Sequence, residues 1–360
     1  MEIKSNESSS LVKVAALIII FAGVTYAKSF ITPLLLAIFI SILCAKPISL
    51  LEKKRVPKWF ALIVVMLTLV LLFFGFSFLI GGTISSFTSN ASKYGSSLTA
   101  IINSFIQLLN EHGLNIPKDQ VSTLIQPAKI LEYTASVLNG LAHVLGNTLL
   151  IFILVLFILM ESESFLDKAK TIFSGSNEPI AYFSTIVQNI RHYLWIKTLI
   201  GLVVGILIYI ALMIIGVNYA LLWALIVFLL NYIPNIGSVI ATIPAVLFAL
   251  VQLGIGGALW TLGTFMVIHN VMGNFFEPRI MGKGLGLSTL VVFLSLLLSG
   301  FLLGTVGMLL SVPITMTIKI ILEQNEKTLW LAILLGTPAD AKNYLKNKGQ
   351  VKKKSDKKFV

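Results

Sequence analysis

Five residues in the apolar stretch NYIPNIGSVIATIP have the types that bind polar ligands within membranes. Asn231 and Asn235 carry amides that donate and accept hydrogen bonds without the cost of a buried charge. Pro234 removes a backbone donor, and Gly237 and Ser238 follow closely. A solvated loop would explain these residues, and so would a broken helix that lines a polar cavity. Because both flanks are apolar and uncharged, we favour the broken helix and predict a substrate or ion site there.

A second stretch, IHNVMGNFFEPRIMGKGLGLSTL, adds ionisable groups directly after an apolar run. Glu277 and Arg279 flank Pro278, and ionisable residues in or near a membrane segment are functional candidates. Two interpretations stay open. Glu277 and Arg279 either form a gating or coupling pair, or lie at the cytoplasmic membrane interface, where basic residues are preferred. Asn274 is a further candidate for the solute or ion site. His269 is able to titrate near neutral pH, but a packing role is the simpler interpretation.

Signals of enzymatic chemistry are absent from the sequence. The histidines are scattered, there is no H-E-x-x-H pair, and the single cysteine, Cys44, forms no Cys–His motif. The GKGLGLS segment lacks the spacing of a phosphate-binding loop. We therefore predict no enzymatic activity, no metal centre and no cofactor. Because the chain has no nucleotide-binding loop, any transport by this protein would be driven by a gradient or by a partner.

The composition predicts that membrane-spanning helices hold these residues. The 360-residue chain is 57% hydrophobic and only 12% charged, whereas about 25% of residues are charged in ordinary globular domains. Its mean hydropathy is +0.94. A surface so poor in charge requires a lipid bilayer as its partner. The net charge of +12 is concentrated at segment ends and in the C-terminal tail, which indicates membrane topology rather than nucleic-acid binding.

The apolar stretches predict an all-α polytopic membrane protein with about eight transmembrane helices. Two of them, 219–252 and 288–322, are too long for one crossing, so we expect broken or re-entrant segments in the C-terminal half. The basic segment AKPISLLEKKRVPKW and the Lys-rich tail predict cytoplasmic N- and C-termini. We divide the chain into N-terminal transmembrane helices at 1–82, an extracytoplasmic helical hairpin at 83–145, a transmembrane helix at 146–160, cytoplasmic interfacial helices at 161–197, a transport core at 198–322 and a basic tail at 323–360.

The insert at 83–145 carries an amphipathic stripe that requires a packing partner. Apolar residues recur from Ile84 to Leu108 at alternating steps of three and four. Self-packing within the chain and homo-oligomerisation would each cover this stripe. The hairpin also raises a hypothesis about function that does not involve transport. The protein would then be a membrane scaffold or assembly protein that recruits partners through the hairpin.

Three motifs in combination resemble the autoinducer-2 exporter family of bacterial membrane proteins. They are P-x-I-G-S at 234–238, P-R-[IL]-x-G at 278–282, and G-x-x-x-G-x-x-G…P at Gly300, Gly304, Gly307 and Pro313. The resemblance covers nearly the whole chain. It implies a homo-oligomeric transporter of the bacterial inner membrane that exports a small polar quorum-sensing signal. Other members resemble sodium/proton antiporters, which would make H⁺ or Na⁺ a further partner.

Pairs of glycines at G-x-x-x-G spacing predict close contacts between helices rather than chemistry. The pairs are Gly201/Gly205 and Gly300/Gly304. Because glycine has no side chain, two helix backbones are able to approach each other at such positions.

Overall fold

The structure is a computed structural model that describes residues 4–89, 91–111, 148–172, 178–234, 236–281, 286–325 and 327–338, with single positions at 129, 132, 136 and 342. All the regular elements within these ranges are helical. They are α1 (Lys4–Tyr26), α2 (Lys28–Lys53), α3 (Lys58–Ser89), α4 (Ala91–Glu111), α5 (Thr148–Ile172), α6 (Glu178–Ile215), α7 (Ala220–Leu230), α8 (Ile236–Asn270), a π-helix (Val271–Phe276), α9 (Glu277–Met281), α10 (Thr289–Glu323) and α11 (Leu329–Leu335).

Length and apolar composition make several helices candidates for membrane spans. Within the described ranges, five qualify: Lys28–Lys53, Lys58–Gly82, Ser184–Ile215, Ile236–Ile280 and Thr289–Glu323. Large apolar side chains on them face outward, including Phe78 at 83% and Phe301 at 79% exposure. Lipid is the solvent that stabilises such a surface. The all-α polytopic membrane fold is therefore confirmed, and the figure of about eight crossings stays a prediction.

Two of these candidate spans contain a glycine at which the helix is interrupted. Gly254 in α8 has φ 74° and ψ −167°, and Gly304 in α10 has φ 68° and ψ −150°. Glycine is essentially the only residue that adopts this backbone region without strain. Gly254 lies two residues beyond the predicted 219–252 stretch, and Gly304 divides the overlong 288–322 stretch.

Contacts divide the chain into two compact units. The first comprises Met1–Pro47, Leu149–Trp195 and Met281–Val360, and the second comprises Ile48–Thr148 and Ile196–Ile280. The division of the chain predicted from the sequence, from 1–82 to 323–360, describes placement relative to a membrane. These contacts do not test it, and it stays a prediction. An apolar core in the first unit is formed by Tyr193, Leu194, Leu287, Val292, Val312 and Met316.

Helix α10 of the first unit folds back on itself at Gly304. Gly307 lies against Ser299 so closely that a Cβ at Gly307 would overlap the Ser299 carbonyl group. A Cβ at Gly300 would lie 2.9 Å from Met308 Cγ. Residues eight positions apart are separated by about 12 Å in a straight helix. The two arms of α10 therefore form a tight hairpin.

In the second unit, α7 packs on α8 and α4 packs against α3 and α8. The rings of Trp223 and Phe248 meet at 5.6 Å between centroids, and Ile106 of α4 is almost fully buried. Helix α4 is therefore covered in part by α3 and α8, whereas its predicted packing against the returning helix of the hairpin stays a prediction. The returning helix of that hairpin lies almost entirely outside the described residues.

Candidate functional site

The second half of α6 contributes a lysine and two glycines at intervals of four residues. Lys197, Gly201 and Gly205 fall on one side of the helix because residues four apart are neighbours. A Cβ at Gly201 would lie 3.2 Å from Asn231 Nδ2, and one at Gly205 would lie 3.3 Å from the Ala224 carbonyl oxygen. The two glycines therefore allow α7 and its C-terminal end to approach α6 closely.

The predicted break is a tight turn between α7 and α8. The Ile233 N–H donates to the Leu230 carbonyl oxygen over 2.9 Å, and α8 begins at Ile236, after Pro234, which has no N–H. A Cβ at Gly237 would overlap the Leu230 carbonyl group. Glycine at this position thus allows the first turn of α8 to pass directly against the end of α7.

The break is packed inside its unit and is not a free loop. Tyr232 and Ile233 are 6% and 2% exposed. The Tyr232 hydroxyl also shares a hydrogen bond of 2.7 Å with Thr198 Oγ1 on α6. These contacts favour the broken-helix interpretation over the solvated loop, because they fix the turn against a neighbouring helix.

A π-helix forms the opposite wall of the site. The Glu277 N–H donates to the Met272 carbonyl oxygen, five residues earlier, which is the hydrogen bond of a π-helix. Asn274 Nδ2 donates to Asn270 Oδ1 over 2.9 Å, and Asn270 Nδ2 donates to the Met266 carbonyl oxygen over 2.8 Å. π-Helical turns occur frequently at functional sites, and this one contains Asn274, directly follows Asn270 and is followed by the Glu277 carboxylate.

These elements of the second unit enclose a polar cavity of about 280 Å³. At roughly 30 Å³ for each water molecule, this volume accommodates a small molecule or a cluster of waters. Backbone and apolar side chains complete the wall between the polar groups. The polar and ionisable residues of the lining are Lys197, Asn231, Ser238, His269, Asn270, Asn274 and Glu277.

The cavity contains an ion pair between α6 and α9. Lys197 Nζ lies 2.5 Å from Glu277 Oε1, and the two side chains are 5% and 21% exposed. Each charge on its own would be costly in such surroundings, whereas the pair is neutral overall. A second ion pair, Lys168–Glu161, has the same distance of 2.5 Å but is 64% and 58% exposed.

Two buried polar atoms in the lining have no hydrogen-bond partner among the described residues. They are Asn231 Nδ2 and His269 Nε2. Most buried polar atoms in proteins are hydrogen-bonded, so an unpartnered one requires an explanation. Both residues line the cavity, so a ligand or water that reached these atoms from the cavity would supply their partners.

The structure brings most of the sequence-predicted site residues together. Asn231, Pro234, Ser238, Asn274 and Glu277 line the cavity. Gly237 is buried beside it, and Asn235 lies outside the described residues.

The other predicted residues lie away from the cavity lining. Pro278 and Arg279 are exposed, and the Arg279 guanidinium lies 3.6 Å from the centre of the Phe275 ring. Glu277 is therefore paired with Lys197, whereas Arg279 makes a cation–π contact. The remaining predicted positions belong to α10 of the first unit: Gly300, Gly304, Gly307 and Pro313.

Three polar residues of the lining were not predicted as site residues from the sequence. Lys197 was placed in an interfacial segment ending at that residue, His269 was interpreted as a packing residue, and Asn270 was not selected. The signal for Lys197 was present, since WIKTLIG places one lysine between apolar residues.

Comparisons with known proteins place this chain within a transporter family. The model of the AI-2E family transporter matches residues 14–327. The chain belongs to the AI-2E transporter family. TqsA of Escherichia coli K12, named an AI-2 transport protein, is 35% identical over 330 residues, which cover 92% of this chain and 96% of TqsA. A Haemophilus influenzae relative is 38% identical over 348 residues, covering 95% of this chain and all of the relative.

The lining of the cavity in this AI-2E transporter is rich in groups that form hydrogen bonds. Amides, a hydroxyl and an imidazole supply both donors and acceptors. Among the described residues, no three His, Cys, Asp or Glu side chains gather to hold a metal ion. The lining is therefore suited to a polar ligand held by hydrogen bonds.

Proposed function

We propose that the cavity is the solute site of a secondary transporter that exports a small polar molecule across the bacterial inner membrane. The observation that carries this proposal is that Asn231 Nδ2 and His269 Nε2, on two residues that line the cavity, are buried and have no partner among the described residues. A solute that bonds to both atoms would remove the cost of leaving them unsatisfied. Sites of this kind, beside interrupted helices, are typical of secondary transporters.

The chemistry of the lining favours a neutral, hydroxyl-rich solute. Hydroxyl groups both donate and accept, as the lining amides do, and the neutral Lys197–Glu277 pair does not require a charged ligand. Among the relatives, TqsA is named an AI-2 transport protein. We therefore propose autoinducer-2 as the solute.

Counterflow of autoinducer-2 into proteoliposomes tests the site. The variant His269→Phe keeps an aromatic ring but removes both ring nitrogens, Nε2 included. We expect the half-saturation concentration for autoinducer-2 to rise about tenfold, which corresponds to one lost hydrogen bond of about 1.4 kcal/mol. His192→Phe is the matched control, because His192 is exposed in the first unit. Equal transport by wild type and His269→Phe would contradict the assignment, and so would equal loss in both variants.

A cation/proton antiporter is the second candidate, and the observation that favours it is the Glu277 carboxylate in the cavity wall. Such exchange requires a carboxylate that alternates between proton and cation. Sodium-driven pH changes in everted vesicles test this candidate. An antiporter would lose them in Glu277→Gln, and a signal that persists in this variant would eliminate Glu277 as the exchanging group.

We also propose that both termini are cytoplasmic and that the protein forms homo-oligomers. The first proposal is supported by the basic residues of the α2–α3 connection and the tail. Reporter fusions at each terminus test it, and an extracytoplasmic signal from either would contradict it. Native mass spectrometry measures the subunit number, and deletion of 83–145 shows whether that insert is needed for assembly.

A further inference from the structure

Among the residues that the structure describes, the cavity lining holds one acidic and one basic side chain, and they neutralise each other. Glu277 is the acidic residue and Lys197 is the basic residue. The remaining polar groups are the amides of Asn231, Asn270 and Asn274, the Ser238 hydroxyl and the His269 imidazole.

The Lys197 ammonium occupies the place at Glu277 that a metal cation would take. Its Nζ lies 2.5 Å from Oε1, in direct contact with an oxygen of the kind that hard cations bind. Ile200 and Val204, one and two turns further along α6, continue the same wall of the cavity. A cation that binds at Oε1 would therefore have to displace the ammonium.

A tethered cation competes strongly with a dissolved one. A ligand held on the same molecule acts at an effective concentration in the millimolar range or above. The ammonium also donates up to three hydrogen bonds in fixed surroundings, because only 5% of the side chain is exposed. A sodium ion at ordinary concentration would lose water and still meet a neutralised carboxylate.

Taking the cavity as the solute site of the proposed transporter, we propose that Lys197 is a selectivity-determining residue. Its ammonium is a built-in counter-ion that excludes inorganic cations from Glu277 and keeps the cavity electroneutral. A neutral polar solute then binds without changing the net charge of the cavity. Removal of the ammonium converts Glu277 into a cation site, and removal of the carboxylate converts Lys197 into an anion site.

Equilibrium binding of radioactive sodium to the purified full-length protein tests this role. We expect Lys197→Met to bind sodium saturably, with an affinity at least about tenfold above that of wild type. The double variant Lys197→Met/Glu277→Gln removes both charges and is expected to lose this binding. Lys168→Met is the matched control, because it breaks an ion pair of equal length that is exposed, and it is expected to bind sodium as weakly as wild type.

Two results of the sodium experiment would overturn the role of Lys197. One is sodium binding by wild type that is as tight as in Lys197→Met. The other is unchanged binding in the double variant, because the site would then not be Glu277. If Lys197→Met does not fold, Glu277→Gln provides the reciprocal test: its lone ammonium is expected to bind radioactive chloride saturably, and a failure to do so overturns the proposal.

The binding experiment requires no solute, so its outcome is distinguishable from that of the transport proposal. Sodium binding gained by Lys197→Met, together with an absence of autoinducer-2 counterflow in wild type, would leave Lys197 as the counter-ion and remove that solute. Counterflow in wild type without any ion binding by the variants would keep the solute site and remove the role of Lys197.

Discussion

The apolar helices of the chain are interrupted at 231–237, in the second unit, and at Gly304, in the first. The two interruptions differ in how the polar groups near them are hydrogen-bonded. Glycine permits a close approach in both regions: Gly237 lies against the Leu230 carbonyl group and Gly307 against that of Ser299. The polar groups nearby are used differently. In α10, Ser311 Oγ donates to the Met308 carbonyl oxygen over 2.9 Å, so that its hydrogen-bonding capacity is used within its own helix.

Around the 231–237 break, by contrast, polar atoms remain available. Asn231 Nδ2 and His269 Nε2 have no partner among the described residues, and both residues border the cavity. The comparison shows that an interrupted helix is not by itself a binding site. It becomes a candidate site when the break leaves donors and acceptors that the protein does not satisfy.

The largest expected effect on stability comes from breaking the Lys197–Glu277 pair. Removing one partner of a buried pair costs about 3–5 kcal/mol, because the other charge is left behind. We expect Glu277→Gln to cost more than Lys197→Met, since the lysine is the less exposed side chain. Unfolding in detergent measures both, and the double variant is expected to recover most of the loss. Strictly additive losses in the double variant would show that the two charges do not interact.

Substitution at Gly237 is expected to have the next largest effect. A Cβ in Gly237→Ala would overlap the Leu230 carbonyl group, and overpacking of this kind costs about 1–3 kcal/mol. Because the break would shift, we also expect weaker autoinducer-2 counterflow. Gly263→Ala in the same helix is the matched control, since a Cβ there meets nothing within 4 Å. Equal behaviour of the two variants would refute the close approach at Gly237.

Substitution at Gly304 sharpens the comparison between the two regions. Gly304→Ala would hold alanine at φ 68° and ψ −150°, at a cost of about 1–3 kcal/mol. The expected result is reduced thermal stability with an unchanged half-saturation concentration for the solute. A solute affinity that falls as much as in Gly237→Ala would mean that the α10 hairpin also contributes to binding.

The smallest expected effect comes from Arg279. Its exposed contact with the Phe275 ring is worth about 0.5–1 kcal/mol. We expect Arg279→Ala to change stability by no more than this and to leave counterflow intact. Loss of transport in this variant would restore the hypothesis of a Glu277–Arg279 coupling pair.

The sequence predicted the break and most of its polar residues because proline, glycine and asparagine are conspicuous between apolar flanks. It did not predict the partner of Glu277. Lys197 lies some eighty residues earlier, and only the packing of α6 against the end of α7 brings it to the cavity. The π-helix was also not predictable, because its one extra residue per turn has no characteristic sequence pattern. The small residues and the proline of the overlong 288–322 stretch predicted a hairpin or an unwound turn there, but not that the interruption would fall at Gly304.

Protection of a thiol at position 238 tests most directly whether solute occupies the cavity. Ser238 lines the cavity, so Ser238→Cys in a Cys44→Ser background places a reactive group in its wall. We predict that saturating autoinducer-2 slows labelling by a small maleimide at least about fivefold, as expected for a site mostly occupied by ligand. The same reagent at Ser295→Cys, in the first unit, should react at a rate independent of solute. Labelling at position 238 that autoinducer-2 leaves unchanged would contradict the account.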